Sequence, residues 1–293
     1  MRRRSFGVST HLYHRQRLTR EHILEIAAHG FDAVEVFATR THIDYHNPSV
    51  VADLQQWLAE GGLALHAVHA PVGANVADGG RPGDLLSIAS ADAAARAEAM
   101  AETERALQIA RRIPMDALVV HLGWPRTQAR YGGSNRDAAR RSVEELCRLA
   151  EPLGVRIAIE VIPNDLSRPG SLVHFAEDDL ESGDAGICLD FGHAHMDGDL
   201  ADSIEAVSEH LIAVHVHDNL GRVDDHLVPF DGSIDWPAAL TAVQKVGYDG
   251  TLMFEVAGRG TTKETLKKAR HAREKMDRLL GSGLKTQGLS HEP

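Results

Sequence analysis

The chain has 293 residues, 43% of them hydrophobic, with a formal net charge of −11. That length suits one barrel domain of roughly 250 residues, and the apolar content is enough for a core, which excludes global disorder. The acidic balance weighs against a polyanionic partner, although a local basic patch can override the sum. Cys147 and Cys188 are the only cysteines, and two cysteines without a secretory signal point to reduced thiols in the cytoplasm. Met1-Arg2-Arg3-Arg4 is basic, but no apolar stretch follows it and no run reaches the length of a membrane span. The expectation is a cytoplasmic protein without a membrane partner; homo-oligomerisation is left open.

Short apolar strands alternate with helical stretches along the whole sequence. Strands are predicted at 6–10, 33–37, 63–69, 117–121, 156–162, 186–190, 211–217 and 250–256. Alternating β and α elements imply a parallel sheet. Eight such units over this length favour a closed (β/α)8 barrel over an open doubly wound sheet. No G-x-G-x-x-G follows the first strand, which counts against a dinucleotide site. Met100, Thr103, Leu107 and Ala110 recur at helical spacing, and Asn135 opens a helix whose apolar face is Val143, Leu146, Leu149 and Ala150. Gly79-Gly80-Arg81-Pro82-Gly83 and Gly132-Gly133 mark loops. The reading is one barrel domain over 1–281 and a flexible Gly/Ser/Lys-rich tail over 282–293.

Eighteen histidines stand out, and what matters is where they fall. A barrel strand alternates between lumen and helices. In the fifth strand Ala158 and Glu160 oppose Ile157, Ile159 and Val161; in the sixth Cys188 and Asp190 oppose Ile187 and Leu189. In the seventh Ala213, His215 and His217 oppose Ile212, Val214 and Val216; in the eighth Thr251, Met253 and Glu255 oppose Leu252, Phe254 and Val256. Glu160, Asp190, His215 and Glu255 therefore converge on the lumen near the C-terminal ends of their strands. Any one alone is an ordinary hydrogen-bonded strand-end residue. Three carboxylates and an imidazole together are costly to desolvate without a cation. Carboxylate plus imidazole ligation suits Mn, Zn, Fe or Co, and the oxygen-rich set leans toward Mn or Mg. His69 and His121 end the third and fourth strands on the same parity, opposed by Val68 and Val120.

With these residues in hand, the sequence resembles the xylose-isomerase-like barrels, a superfamily that includes sugar phosphate isomerase/epimerases, ketohexose 3-epimerases and endonuclease IV. The matching stretches are His69-Ala70-Pro71 with Asn75, Val119-Val120-His121-Leu122-Gly123, Ile159-Glu160, and Leu189-Asp190-Phe191-Gly192-His193. They continue with His215-Val216-His217-Asp218-Asn219, Asp224-Asp225-His226 and Phe254-Glu255. In the epimerase branch the resemblance implies one metal on Glu160, Asp190, His215 and Glu255; among the candidate ions Mn or Zn leads. It implies Glu160 and Glu255 as the proton-exchanging pair and His193 as a substrate contact. In the endonuclease branch it implies a larger ligand set that adds His69, His121, His193, Asp224 and His226, with room for further metals.

Two departures narrow the choice. Val72 stands where the endonuclease pattern commonly has Tyr, and aromatic residues are only 5% of the chain, which weighs against a grip on bent duplex DNA. Leu166 stands where ketohexose epimerases carry a further glutamate, which puts a free ketohexose in doubt. The leading reading is a metal-dependent isomerase or epimerase of a sugar, sugar phosphate or cyclitol, moving a proton through an enediolate. His69 and His121 are further candidates for contact with a carbohydrate-like small molecule. Trp124 is equally an apolar wall for substrate or ordinary loop packing. Arg126 and Arg130 are candidate anion binders or, as more often, solvated loop charges; Arg222 and Arg259 are read with the same caution. The rival readings are a multinuclear metal phosphoesterase, a related lyase or dehydratase, and a barrel that binds sugar or metal without catalysis.

Overall fold

The structure, a computed structural model, describes residues 4–73, 85–127, 133–180, 185–257 and 260–286, with side chains to 281. Asn75, the 79–83 glycine loop, Arg130, Gly132, Arg259 and positions 287–293 lie outside the described residues. Eight parallel strands close into a barrel in chain order. They are β1 (Phe6–Ser9), β2 (Ala33–Phe37), β3 (Ala64–His69), β4 (Ala117–Val120), β5 (Arg156–Glu160), β6 (Ala185–Asp190), β7 (Leu211–Val216) and β8 (Leu252–Phe254). Phe6 pairs with Leu252 to join β8 back to β1, so the sheet exposes no edge. Each predicted strand is present. Several end early, before Thr10, His121, Val161, His217 and Glu255, where the chain leaves the sheet and hands side chains to the rim.

The helices are α1 (Arg20–Ala28), α2 (Pro48–Gly61), α3 (Ala93–Leu107), α4 (Arg136–Ala150), α5 (Pro169–His174), α6 (Phe191–Asp197), α7 (Leu200–Ala206), α8 (Trp236–Lys245) and α9 (Thr262–Thr286). Their ends follow local chemistry. The Asn135 side chain caps α4 by accepting from the Ala138 N–H at 2.9 Å. Asn47 and Pro48 open α2, and left-handed Gly62 (φ +63°) closes it. The helical spacing read through Ala110 passes at Gln108 into a 3-10 turn. α9 runs to Thr286, past the point where the sequence placed the start of a tail. Among the described residues, no helix is long and apolar enough to cross a membrane.

The strand alternation sorts the core into two parts. Ile157, Ile159, Ile187, Leu189, Val214, Val216, Leu252 and Phe254 pack outward against the helices. Ala67, Ala117, Val119, Ala158, Cys188 and Ala213 form a separate apolar cluster. All six carry the inward parity and are small, as the narrow interior of an eight-stranded barrel requires. The next inward residues along the same strands are ionisable, and they make the site.

Candidate active site and metal centre

Register places the four expected ligands side by side. Asp190 pairs with His215 across β6 and β7, and Glu160 pairs with Cys188 across β5 and β6. Glu160, Asp190, His215 and Glu255 are all buried, with one ligand atom from each lying within 4.8 Å of the others. His215 Nδ1 sits 3.2 Å from Glu160 Oε1, 3.0 Å from Glu255 Oε2 and 3.9 Å from Asp190 Oδ2. Among the described residues no Lys or Arg is buried, so only imidazoles or a bound cation can offset these carboxylates. The donor set, three carboxylates and one imidazole converging in a dry lumen, fits a divalent metal.

The additional residues split into two neighbouring groups. His69 Nε2 and His121 Nε2 lie 3.0 and 2.9 Å from the same Glu160 Oε2, which joins β3 and β4 to the first group. On the other side, His193, His217, Asp224 and His226 form a second cluster with metal-ligand spacing. Asp224 Oδ2 stands 3.1 Å from His193 Nε2 and 3.0 Å from His226 Nε2. Each outer nitrogen is fixed by a backbone carbonyl: His193 Nδ1 at 2.9 Å from Val161 O, His226 Nδ1 at 2.9 Å from Glu255 O, and His69 Nδ1 at 2.8 Å from Ala70 O. These contacts orient each ring with its other nitrogen facing the site. His226 holds a positive φ of 44°, a strained conformation that the surrounding contacts must sustain.

The electrostatics follow from burial and neighbours. Burial opposes a charge on His69, but the bond and charge of Glu160 outweigh it and raise the ring to about 9. Burial likewise opposes charge on His193 and His226, yet Asp190 and Asp224 for the first, and Asp224 for the second, lift each to about 10. Burial opposes the charge on Glu160 and Glu255 as well, but His215 holds both carboxyls well below the usual range, helped by His121 at Glu160 and by His226 at Glu255. Burial pushes the Cys188 thiol up to about 12, so it stays protonated beneath the site.

Three residues that sequence reasoning left out of the site belong beside it. His217 Nε2 lies 2.9 Å from Asp190 Oδ1; its position two residues beyond His215 carried the signal. Gly192 makes room for that ring, since a Cβ there would overlap it. His11, on the turn after β1, places Nδ1 4.0 Å from Glu255 Oε1, and burial drives its ring down to about 3. Glu35 of β2 lies 3.0 Å from His215 Nε2; inward parity with Ala33 and Phe37 was its signal. Asp218 accepts from Asn219 N, Phe230 N, Ile234 N and Trp236 Nε1 at 2.8–3.1 Å, and so ties down the loop that carries Asp224 and His226.

Trp124 and Arg126 fall elsewhere on the rim, in a cleft of about 350 Å³ shared with Ser134, Asn164 and Leu166. Trp124 is nearly buried, and its carbonyl accepts from Asn164 Nδ2 at 3.1 Å. Arg126 pairs with Asp165 at 2.5 Å, both side chains exposed. Neither residue is in the clusters of convergent ligands.

A barrel closed in chain order, with ionisable side chains gathered at the C-terminal ends of its strands, defines a class in which enzymes place their active sites at that rim. Residues 23–279 match the family described as xylose isomerase-like TIM barrel, and the chain belongs to that family. An uncharacterised protein of Methanocaldococcus jannaschii is 29% identical over 258 residues, covering 85% of this chain and 83% of its own. A D-psicose 3-epimerase of Enterocloster bolteae is 24% identical over 242 residues, covering 79% and 74%. Among solved structures, a D-tagatose 3-epimerase-like protein superposes with a TM-score of 0.77 at 26% identity, covering 96% of this chain and 99% of that one.

Proposed function

We propose that this protein is a divalent-metal-dependent isomerase or epimerase acting on a sugar, sugar phosphate or cyclitol. The observation that carries the reading is the placement of two buried carboxylates, Glu160 and Glu255, at 3.2 and 3.0 Å on a shared imidazole nitrogen of His215. The printed names of the similar proteins, D-psicose 3-epimerase and D-tagatose 3-epimerase-like protein, support a carbohydrate substrate. Glu160, Asp190, His215 and Glu255 would hold the cation, with Mn or Zn ahead of Mg, Co and Fe. When bound, it would hold adjacent carbonyl and hydroxyl oxygens of the substrate and offset the charge of the developing enediolate.

The chain's own groups then supply the proton chemistry. β5 and β8 bring Glu160 and Glu255 to the lumen from different sides. One, ionised when substrate binds, removes the proton beside the carbonyl; the other, carrying a proton at that stage, returns it from its own side, so the pair holds one proton before and after the step. His69 and His121, both on Glu160 Oε2, would steady that carboxylate by donating to it and would line the space for substrate hydroxyls. His193 would orient a further oxygen. Incubation in D2O with ketoses, their phosphates and keto-cyclitols tests this. Deuterium should enter the carbon next to the carbonyl of the true substrate.

One observation favours a second reading. The adjoining cluster of His193, His217, Asp224 and His226 suits another metal, as a multinuclear phosphoesterase would require. Anomalous scattering at metal edges separates the two: a single fully occupied peak supports the epimerase, and two or three support the hydrolase. Cleavage of a phosphodiester with no deuterium uptake in any sugar would overturn the first reading.

A further inference from the structure

Glu35 is 1% exposed and sits in the lumen with no Lys or Arg buried among the described residues to neutralise it. A buried carboxylate is costly, and a leucine or glutamine would fill the same space. Its one resolved hydrogen bond is telling. Oε2 lies 3.0 Å from His215 Nε2, while Oε1 is buried with no hydrogen-bond partner. A carboxylate can only accept, so Nε2 carries a hydrogen that Glu35 holds in place, and a cation bound among the other carboxylates would displace only the hydrogen on Nδ1. The opposite ring nitrogen, Nδ1, is the one that faces Glu160, Glu255 and Asp190. The contact spans the barrel from β2 to β7. The pairing register of β2 on β3 shifts between Val34 and Glu35, the kind of irregularity that re-aims a strand side chain.

We infer that Glu35 is a positioning residue: it fixes the orientation and hydrogen placement of His215, so that Nδ1 presents its lone pair to a divalent cation. The inference rests on the metal reading above. It makes Glu35 the outer partner of a carboxylate–histidine–metal relay, which orients the ring and raises its basicity as a ligand. Glutamine in its place is a weaker acceptor. It can also rotate to offer its NH2, which would pull the hydrogen of His215 onto the wrong nitrogen.

The test uses the full chain and two variants, E35Q and E35A, with Mn(II) affinity by calorimetry and the Co(II)-loaded proton spectrum as readouts. Loss of an outer-shell partner is expected to weaken Mn(II) binding about 10–100-fold, with E35Q folded as judged by circular dichroism. The Co(II)-loaded parent should show a hyperfine-shifted histidine N–H that exchanges slowly with D2O, and E35Q should move or remove it. This parent measurement stands even if a variant fails to fold. Absence of that signal in a parent that binds Co(II) overturns the role of Glu35 alone. So does Mn(II) affinity within twofold of the parent in folded E35Q. A parent that binds neither Mn(II) nor Co(II) overturns the metal reading itself and this inference with it.

Discussion

The lumen has a floor and a rim that are built from the same strands and obey opposite rules. The floor is Ala67, Ala117, Val119, Ala158, Cys188 and Ala213, small and apolar. The rim, two residues further along most of those strands, is His69, His121, Glu160, Asp190, His215 and, from β8, Glu255. Both layers are buried apart from half-buried His121, so burial alone does not decide what a residue does. In the floor it yields packing stability. At the rim it costs energy, because carboxylates and imidazoles lose water and must compensate one another. A fold that sustains this expense at the C-terminal ends of its strands, and not below, separates stability from function along one axis.

The sharpest way to break that comparison is to remove a rim ligand. Asp190→Ala should abolish metal uptake, measured by elemental analysis, and lower turnover more than about a thousandfold, in line with a catalytic metal's share of rate. EDTA treatment of the parent should do the same, and readdition of Mn(II) or Zn(II) should restore it. Full turnover in a demonstrably metal-free preparation would contradict the rim's assigned role. Asp218→Ala probes the joint between the layers and the loop above. It leaves Phe230 N, Ile234 N and Trp236 Nε1 without their acceptor. The expected loss is about 2–5 kcal/mol, from roughly 1–3 kcal/mol for each unsatisfied buried donor with partial relaxation. Chemical denaturation measures it. A floor substitution should be milder and purely structural: Ala158→Leu overpacks the cluster and should cost about 1–3 kcal/mol, with metal stoichiometry retained.

Much of this was legible because period-two alternation reports parity directly. Ile157, Ile159, Leu189, Val214 and Phe254 mark the outward face so strongly that Glu160, Asp190 and His215 are forced inward. Two kinds of residue escaped. Glu35 is a single carboxylate in a Val-rich strand, and its meaning lies in a partner 180 positions away across a register shift that no local pattern encodes. His11, Asp224 and His226 sit on turns, where side-chain direction depends on tertiary anchors such as Asp218 and not on a repeat. Asp224 and His226 were found only through their spacing in the family pattern. His217 was visible on the inward parity, but its partnership with Asp190 needed the close approach that Gly192 permits.

The smallest expected effect belongs to Arg126, which tests where the rim ends. The sequence left it between an anion binder and a solvated loop charge, and the structure pairs it with Asp165. The arginine side chain is 51% exposed and its partner 89% exposed, so the pair is well screened and contributes within about 0–1 kcal/mol. A substrate phosphate would have to displace Asp165 or bind beside it, and a neighbouring carboxylate repels it. Arg126→Ala should therefore change stability by less than about 0.5 kcal/mol. It should also leave kcat/KM within about twofold for both uncharged and phosphorylated sugars, a difference below 0.5 kcal/mol in transition-state binding. Steady-state kinetics on a matched pair of substrates decides the matter. A rise in KM confined to the phosphorylated member would extend the site from the carboxylate–histidine cluster to the Trp124 cleft, and would identify Arg126 as the group that selects a phosphate.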